Sequence, residues 1–101
     1  MGNVNMLNEF EKWFSENEPT LKHKHYNAVV SRPSALTNKS SIRADIDTPE
    51  YIARVTLWES GECEREAIDI KTEETKFGNY TIVHNPRELY QVLDSFIAEL
   101  S

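Results

Sequence analysis

The chain has 101 residues, an apolar fraction of 39%, a charged fraction of 28% and a net charge of −6. A domain of this size hides roughly two thirds of its extended surface, enough for one modest core. The acidic balance excludes a partner gripped by its phosphates, no run approaches a membrane span, and the lone Cys63 excludes an internal disulfide.

The first element is an amphipathic helix over about 5–17. Met6, Leu7, Phe10, Trp13 and Phe14 recur at three- and four-residue steps, and Asn5 or Asn3 can cap its start. Pro19 ends or kinks it, or else opens a short helical continuation through Leu21 to Tyr26. Ala28-Val29-Val30 reads as an edge strand over about 28–30, and Ser31-Arg32-Pro33-Ser34 as a turn. Ser40 to Asp47 alternates, with Ile42, Ala44 and Ile46 on one face. Thr48-Pro49-Glu50 reads as a turn.

Tyr51 to Trp58 is the strongest strand: Tyr51, Ala53, Val55 and Leu57 share one face, and Ile52, Arg54, Thr56 and Trp58 the other. Glu59-Ser60-Gly61-Glu62 is a hairpin turn with Gly61 free to take positive φ. A strand over about 63–71 follows, with Ile68 and Ile70 read as inward and a polar first half that projects beyond the core or bulges. The last strand, about 76–84, puts Tyr80 and Ile82 on one side and Val83 on the other, with Gly78-Asn79 as a candidate interruption. The final helix, about 86–100, has Asn85 as cap, Pro86 at its first position, Glu88 three residues after the cap and one apolar stripe from Leu89 to Leu100. Helix, four or five strands joined by tight turns, helix predicts a single α+β domain over 1–101. It is an antiparallel four- to five-stranded meander with the N- and C-terminal helices packed on one face, in two layers. Spacing alone leaves open which face of the sheet is covered.

The net charge is the remainder of opposed stretches. Thr20 to Ala44 carries Lys22, Lys24, Arg32, Lys39 and Arg43 and no acid; Glu59 to Glu74 carries seven acids against Arg65 and Lys71. No dinucleotide-binding, phosphate-loop or zinc motif is present. His23-Lys24-His25 is a weak metal pair, more simply two solvated histidines. A Cys63–His84 nucleophile fails on its acidic surroundings, which raise a thiol pKa, so Cys63 reads as structural. The carboxylate pairs Glu64/Glu66 and Asp45/Asp47 sit at strand spacing, where such pairs decorate a solvated face. No enzyme, cofactor or metal is expected. Trp58 either packs beneath the helices or stands as an exposed anchor among acids, the composition of a protein-binding hot spot. The dense acidic hairpin favours an electrostatic interface for a basic partner.

Ala53-Arg54-Val55-Thr56-Leu57-Trp58-Glu59-Ser60-Gly61-Glu62-Cys63, followed by Ala67-Ile68-Asp69-Ile70, resembles the central signature of the TriTu family of immunity proteins, found in contact-dependent growth inhibition and related polymorphic toxin systems. The Leu7 to Phe14 opening, the Ser31 to Ser34 segment and the closing helix are similar too. The resemblance implies a cytoplasmic protein that binds and neutralises a cognate toxin C-terminal domain. The associated toxins look like nucleases directed at transfer RNA, some with elongation factor Tu as a third party. The partner-binding residues are then Arg54, Trp58, Glu59, Glu62, Glu64, Glu66 and Asp69. A second version uses the basic stretch instead. The reading from another class is a small cytoplasmic chaperone or adaptor for a secreted protein. No direct nucleic-acid or membrane partner is expected.

Overall fold

In a computed structural model that describes residues 5–33 and 39–101, the chain runs α1 (Met6–His23), β1 (Asn27–Ser31), β2 (Ser41–Asp47), β3 (Tyr51–Trp58), β4 (Glu62–Asp69), β5 (Thr75–Ile82) and α2 (Pro86–Glu99). Asn3 and Ser34, read above as a cap and a turn residue, lie outside the described residues. The five strands form one antiparallel sheet in the order β1-β2-β3-β4-β5. This is the expected α+β meander with its terminal helices, and its count resolves to five strands. Among the described residues no helix is long and apolar enough to cross a membrane.

The core lies between the sheet and the two helices. β2 supplies Ile42, Ala44 and Ile46, β3 supplies Ala53, Val55 and Leu57, and β4 supplies Cys63 and Ala67, all buried. α1 answers with Leu7, Phe10, Trp13, Phe14 and Leu21, and α2 with Leu89, Leu93, Phe96 and Ile97. Burying each large side chain of this kind contributes roughly 1.5–3 kcal/mol. Phe96 meets Phe77 of β5 edge-on at 5.9 Å, which seats α2 over that side of the sheet. Two polar bonds join the helices: Trp13 Nε1 donates to Asp94 Oδ1 at 3.2 Å, and the Tyr90 hydroxyl donates to Glu9.

The caps follow sequence chemistry. Asn5 Oδ1 accepts from Leu7 and Asn8 N–H at the start of α1, and Asn85 Oδ1 accepts from Glu88 N–H at the start of α2. Glu88 reaches back one residue further than a capping box does, to the backbone N–H of His84 at 2.8 Å.

Four expectations are corrected. α1 does not stop near residue 17 but runs through Pro19 to His23. Pro19 and Ser15 both face solvent, so water can take the carbonyl that proline leaves unbonded, while Leu21 in the following turn is 3% exposed and anchors the extension. Lys24 caps this helix and His25 turns the chain with φ 65. Ile68 and Ile70 are not inward: they are 41% and 47% exposed, because Cys63 and Ala67 set the covered parity of β4. β5 passes through Gly78 unbroken; the irregularity lies at Ala67/Ile68 in the β4–β5 register. β4 ends at Asp69, short of residue 71, and β5 at Ile82, short of residue 84. Gly61 takes φ +100, and a Cβ there would lie 2.5 Å from the Val83 carbonyl oxygen. This glycine therefore lets the β3–β4 turn close on the end of β5, where Val83 N–H donates to Gly61 O at 2.8 Å.

Candidate protein-binding surface

With both helices on one side, the other side of the sheet faces solvent. Strand alternation places Arg43, Asp45 and Asp47 of β2, Ile52, Arg54, Thr56 and Trp58 of β3, and Glu62, Glu64, Glu66 and Ile68 of β4 on this open face. Tyr80 and Ile82 of β5 join them, paired across from Glu64 and Glu62. Trp58 is half-buried and outside the core cluster, so it lies on the open face and not beneath the helices.

The register arranges the charges in rows. One row runs Arg43–Thr56–Glu64–Tyr80, and the next Asp45–Arg54–Glu66–Gly78. Arg54 Nε donates to Asp45 Oδ1 at 2.6 Å, and Arg43 Nε lies 3.5 Å from Asp45 Oδ2, so Asp45 spends its charge between two guanidiniums. Glu62 is engaged as well: Lys39 Nζ lies 2.9 Å and 3.1 Å from its two oxygens. The Lys39 hydrogen bond first, then the Ser60 hydroxyl, holds the Glu62 carboxyl below its usual range. Glu64 and Glu66 are exposed and take part in no ion pair among the described residues. The strand residues of this face carry five carboxylates against two guanidiniums, a balance of −3.

The seven expected contact residues thus divide. Arg54, Trp58, Glu62, Glu64 and Glu66 come together on the open face, and Glu59 is exposed at the adjoining turn. Asp69 is apart from them. It has covered-face parity at the far end of β4, and its Oδ1 accepts from Lys71 N–H at 2.8 Å and Thr72 N–H at 3.0 Å. These bonds, that from Thr72 foremost, hold its carboxyl below the usual range and mark it as a turn-former.

Residues overlooked in the sequence are the apolar ones. Ile52 is 53% exposed, Tyr80 60% and Ile82 49%, and with Ile68 and Trp58 they flank the acids. For Ile52 the signal was available, since it is one step out of phase with the buried Ala53 on its own strand; for Tyr80 and Ile82 the face depends on pairing with β4. The basic stretch is largely consumed inside the molecule. Lys22 pairs with Glu18, Arg32 with Glu11, Lys39 with Glu62 and Arg43 with Asp45, while Lys24 lies over the Tyr26 ring.

Burial pushes the Cys63 thiol up to about 11, opposite to what a nucleophile needs. Among the described residues no three metal-type side chains converge. An acidic centre flanked by exposed aromatic and aliphatic side chains is suited to meeting another protein.

The sequence matches the family model described as immunity protein TriTu over residues 8–99. No curated protein matches the chain.

Proposed function

Because the chain belongs to the TriTu family of immunity proteins, we propose that it protects by binding a cognate toxin domain, and that the open face of its sheet is the surface that binds. Binding is stoichiometric and non-catalytic. The observation that carries this reading is that Glu64 and Glu66, on one face with Trp58, Tyr80 and Ile82, form no ion pair among the described residues, while the bases of the 20–44 stretch are occupied by internal partners. Unpaired surface acid steers a basic partner, and exposed aromatic and aliphatic side chains supply the buried area once contact is made.

The matching toxin is a basic nuclease acting on transfer RNA in the cytoplasm, with elongation factor Tu met through the toxin rather than directly. A cleft that binds an RNA backbone is lined with cations. A row of carboxylates with a balance of −3 is a fitting substitute for the phosphates there. Arg54 holds Asp45 in place, and Trp58 is the anchor of the patch.

The test is to mix the chain with the toxin domain encoded beside it and follow complex mass and nuclease activity together. A one-to-one complex with the folded toxin, and activity lost at equimolar ratio, supports the reading. A dimer of this chain that holds only an unfolded segment of a larger protein would assign it to the chaperones instead. An intact toxin activity at large excess would refute inhibition.

A further inference from the structure

Among the described residues, the covered side of the sheet holds a guanidinium, Arg65, that forms no ion pair. β4 points Cys63, Arg65 and Ala67 toward the helix layer; Cys63 and Ala67 are fully buried and Arg65 between them is half-buried. Its cross-strand neighbours, Val55 and Asn79, are uncharged. The side chain lies in a cleft of about 390 Å³ between β5 and α2, lined also by Thr81, His84, Glu88, Gln91 and Ser95.

Arg65 Nη2 donates to Thr81 Oγ1 at 2.5 Å, and Nε is shut away from solvent with no acceptor. Among the described residues no carboxylate forms an ion pair with this guanidinium. Glu88 lines the cleft, but its Oε1 already accepts from His84 N–H at 2.8 Å and lies 3.0 Å from His84 Nδ1. Arg43 is the contrast: its Nε is equally enclosed, yet Asp45 Oδ2 lies 3.5 Å away.

A guanidinium stays charged at any physiological pH and offers five N–H donors in a planar fork. Drawing it partly out of water is costly unless a counter-charge takes those donors. The Thr81 hydroxyl supplies one acceptor and no charge. A carboxylate or similar oxyanion supplies two acceptors and the charge, in the geometry the fork matches.

We propose that the Arg65 cleft is an oxyanion-binding site, which accepts a carboxylate carried by a bound protein or a small free anion of the same chemistry. It lies in the opposite layer from the open face and borders it at Ile82, and its test, read at Arg65 and Thr81, does not depend on the toxin-binding surface.

The test is NMR titration of the full chain with acetate, a capped Gly-Asp-Gly peptide and inorganic phosphate, each against sodium chloride at equal ionic strength. Saturable shifts of the Arg65 Nε–H and Thr81 amide signals are expected, with midpoints about tenfold or more below any chloride effect. Arg65→Lys keeps the charge but loses the fork, so its midpoint rises about three- to tenfold. Arg65→Met abolishes the shifts; thermal melting checks that it folds, and Arg65→Lys carries the test if it does not. Saturation by the peptide and not by phosphate identifies a protein-borne carboxylate, and the reverse a free anion. Linear shifts equal to those of chloride, or shifts that persist in folded Arg65→Met, would overturn the site.

Discussion

Reversing Glu64 and Glu66 together to lysine changes the open face from −3 to +1 without touching the core. The folding cost can be read from the register. Glu64 stands between Thr56 and Tyr80, where a lysine meets no charge; Glu66 stands between Arg54 and Gly78, where it meets one. Like charges directly across strands cost about 0.2–1 kcal/mol, a few degrees of melting temperature in a chain this size. The binding cost is larger. Each exposed ion pair lost is worth roughly 0.5–1 kcal/mol, and the repulsion installed is of similar size. The double reversal therefore costs about 2–4 kcal/mol, or roughly 30- to 900-fold in Kd. Stopped-flow association with the toxin domain should show most of this in the on-rate. The gap should narrow from 0.1 M to 1 M salt, as the screening length falls from about 10 Å to about 3 Å. A folded double variant that binds and protects like the parent at 0.1 M salt would refute the electrostatic reading.

Pro19→Ala restores a helical N–H in an exposed turn of α1. It should stabilise by about 1–3 kcal/mol, read as a higher melting temperature by circular dichroism; no rise would mean that the helix has already relaxed around the proline. Cys63 is fully enclosed, so iodoacetamide at pH 8 should label it only on unfolding; complete labelling of the folded chain within minutes would contradict its burial. Its thiol is raised from 9.0 to about 11 in the folded state, so the unfolded chain loses the proton first. Stability is therefore undiminished below about 9.0 and falls by roughly 2–3 kcal/mol as pH climbs to about 11, a loss that Cys63→Ala should remove. Asn85→Ala removes the side chain that caps α2 and should cost about 1 kcal/mol in denaturant unfolding; an unchanged midpoint would show the cap to be idle.

The elements most legible in sequence were those in which several local signals agree. α2 has a cap, a proline at its first position and an unbroken stripe, and it forms as expected from Pro86 to Glu99. β3 was read to the residue because its covered face alternates without a break. β4 was read with the wrong face inward because its covered positions hold a small Cys63, a charged Arg65 and a small Ala67, while the large Ile68 faces solvent. Size and hydrophobicity pointed one way, and pairing with β3 pointed the other. Pro19 misled for a similar reason: a local rule lost to the burial of Leu21 one turn on. That Arg54 and Trp58 share a face, and that Glu64 and Glu66 sit at strand spacing, was legible in the sequence; which side the helices cover was not. The pairing of Lys39 with Glu62, the turn role of Asp69 and the exposure of Tyr80 and Ile82 were not, because each depends on strand register or on a backbone turn that spacing does not specify.

The claim that the open face receives the toxin is tested most directly by isoleucine-methyl NMR of the complex. Ile52, Ile68 and Ile82 report on the open face, whereas Ile42, Ile46 and Ile97 report on the core. On binding the folded toxin domain, the first three should shift or gain intermolecular contacts while the last three hold their positions. Unmoved open-face methyls beside changes confined to the helix layer would place the interface on the other side of the molecule and contradict the account.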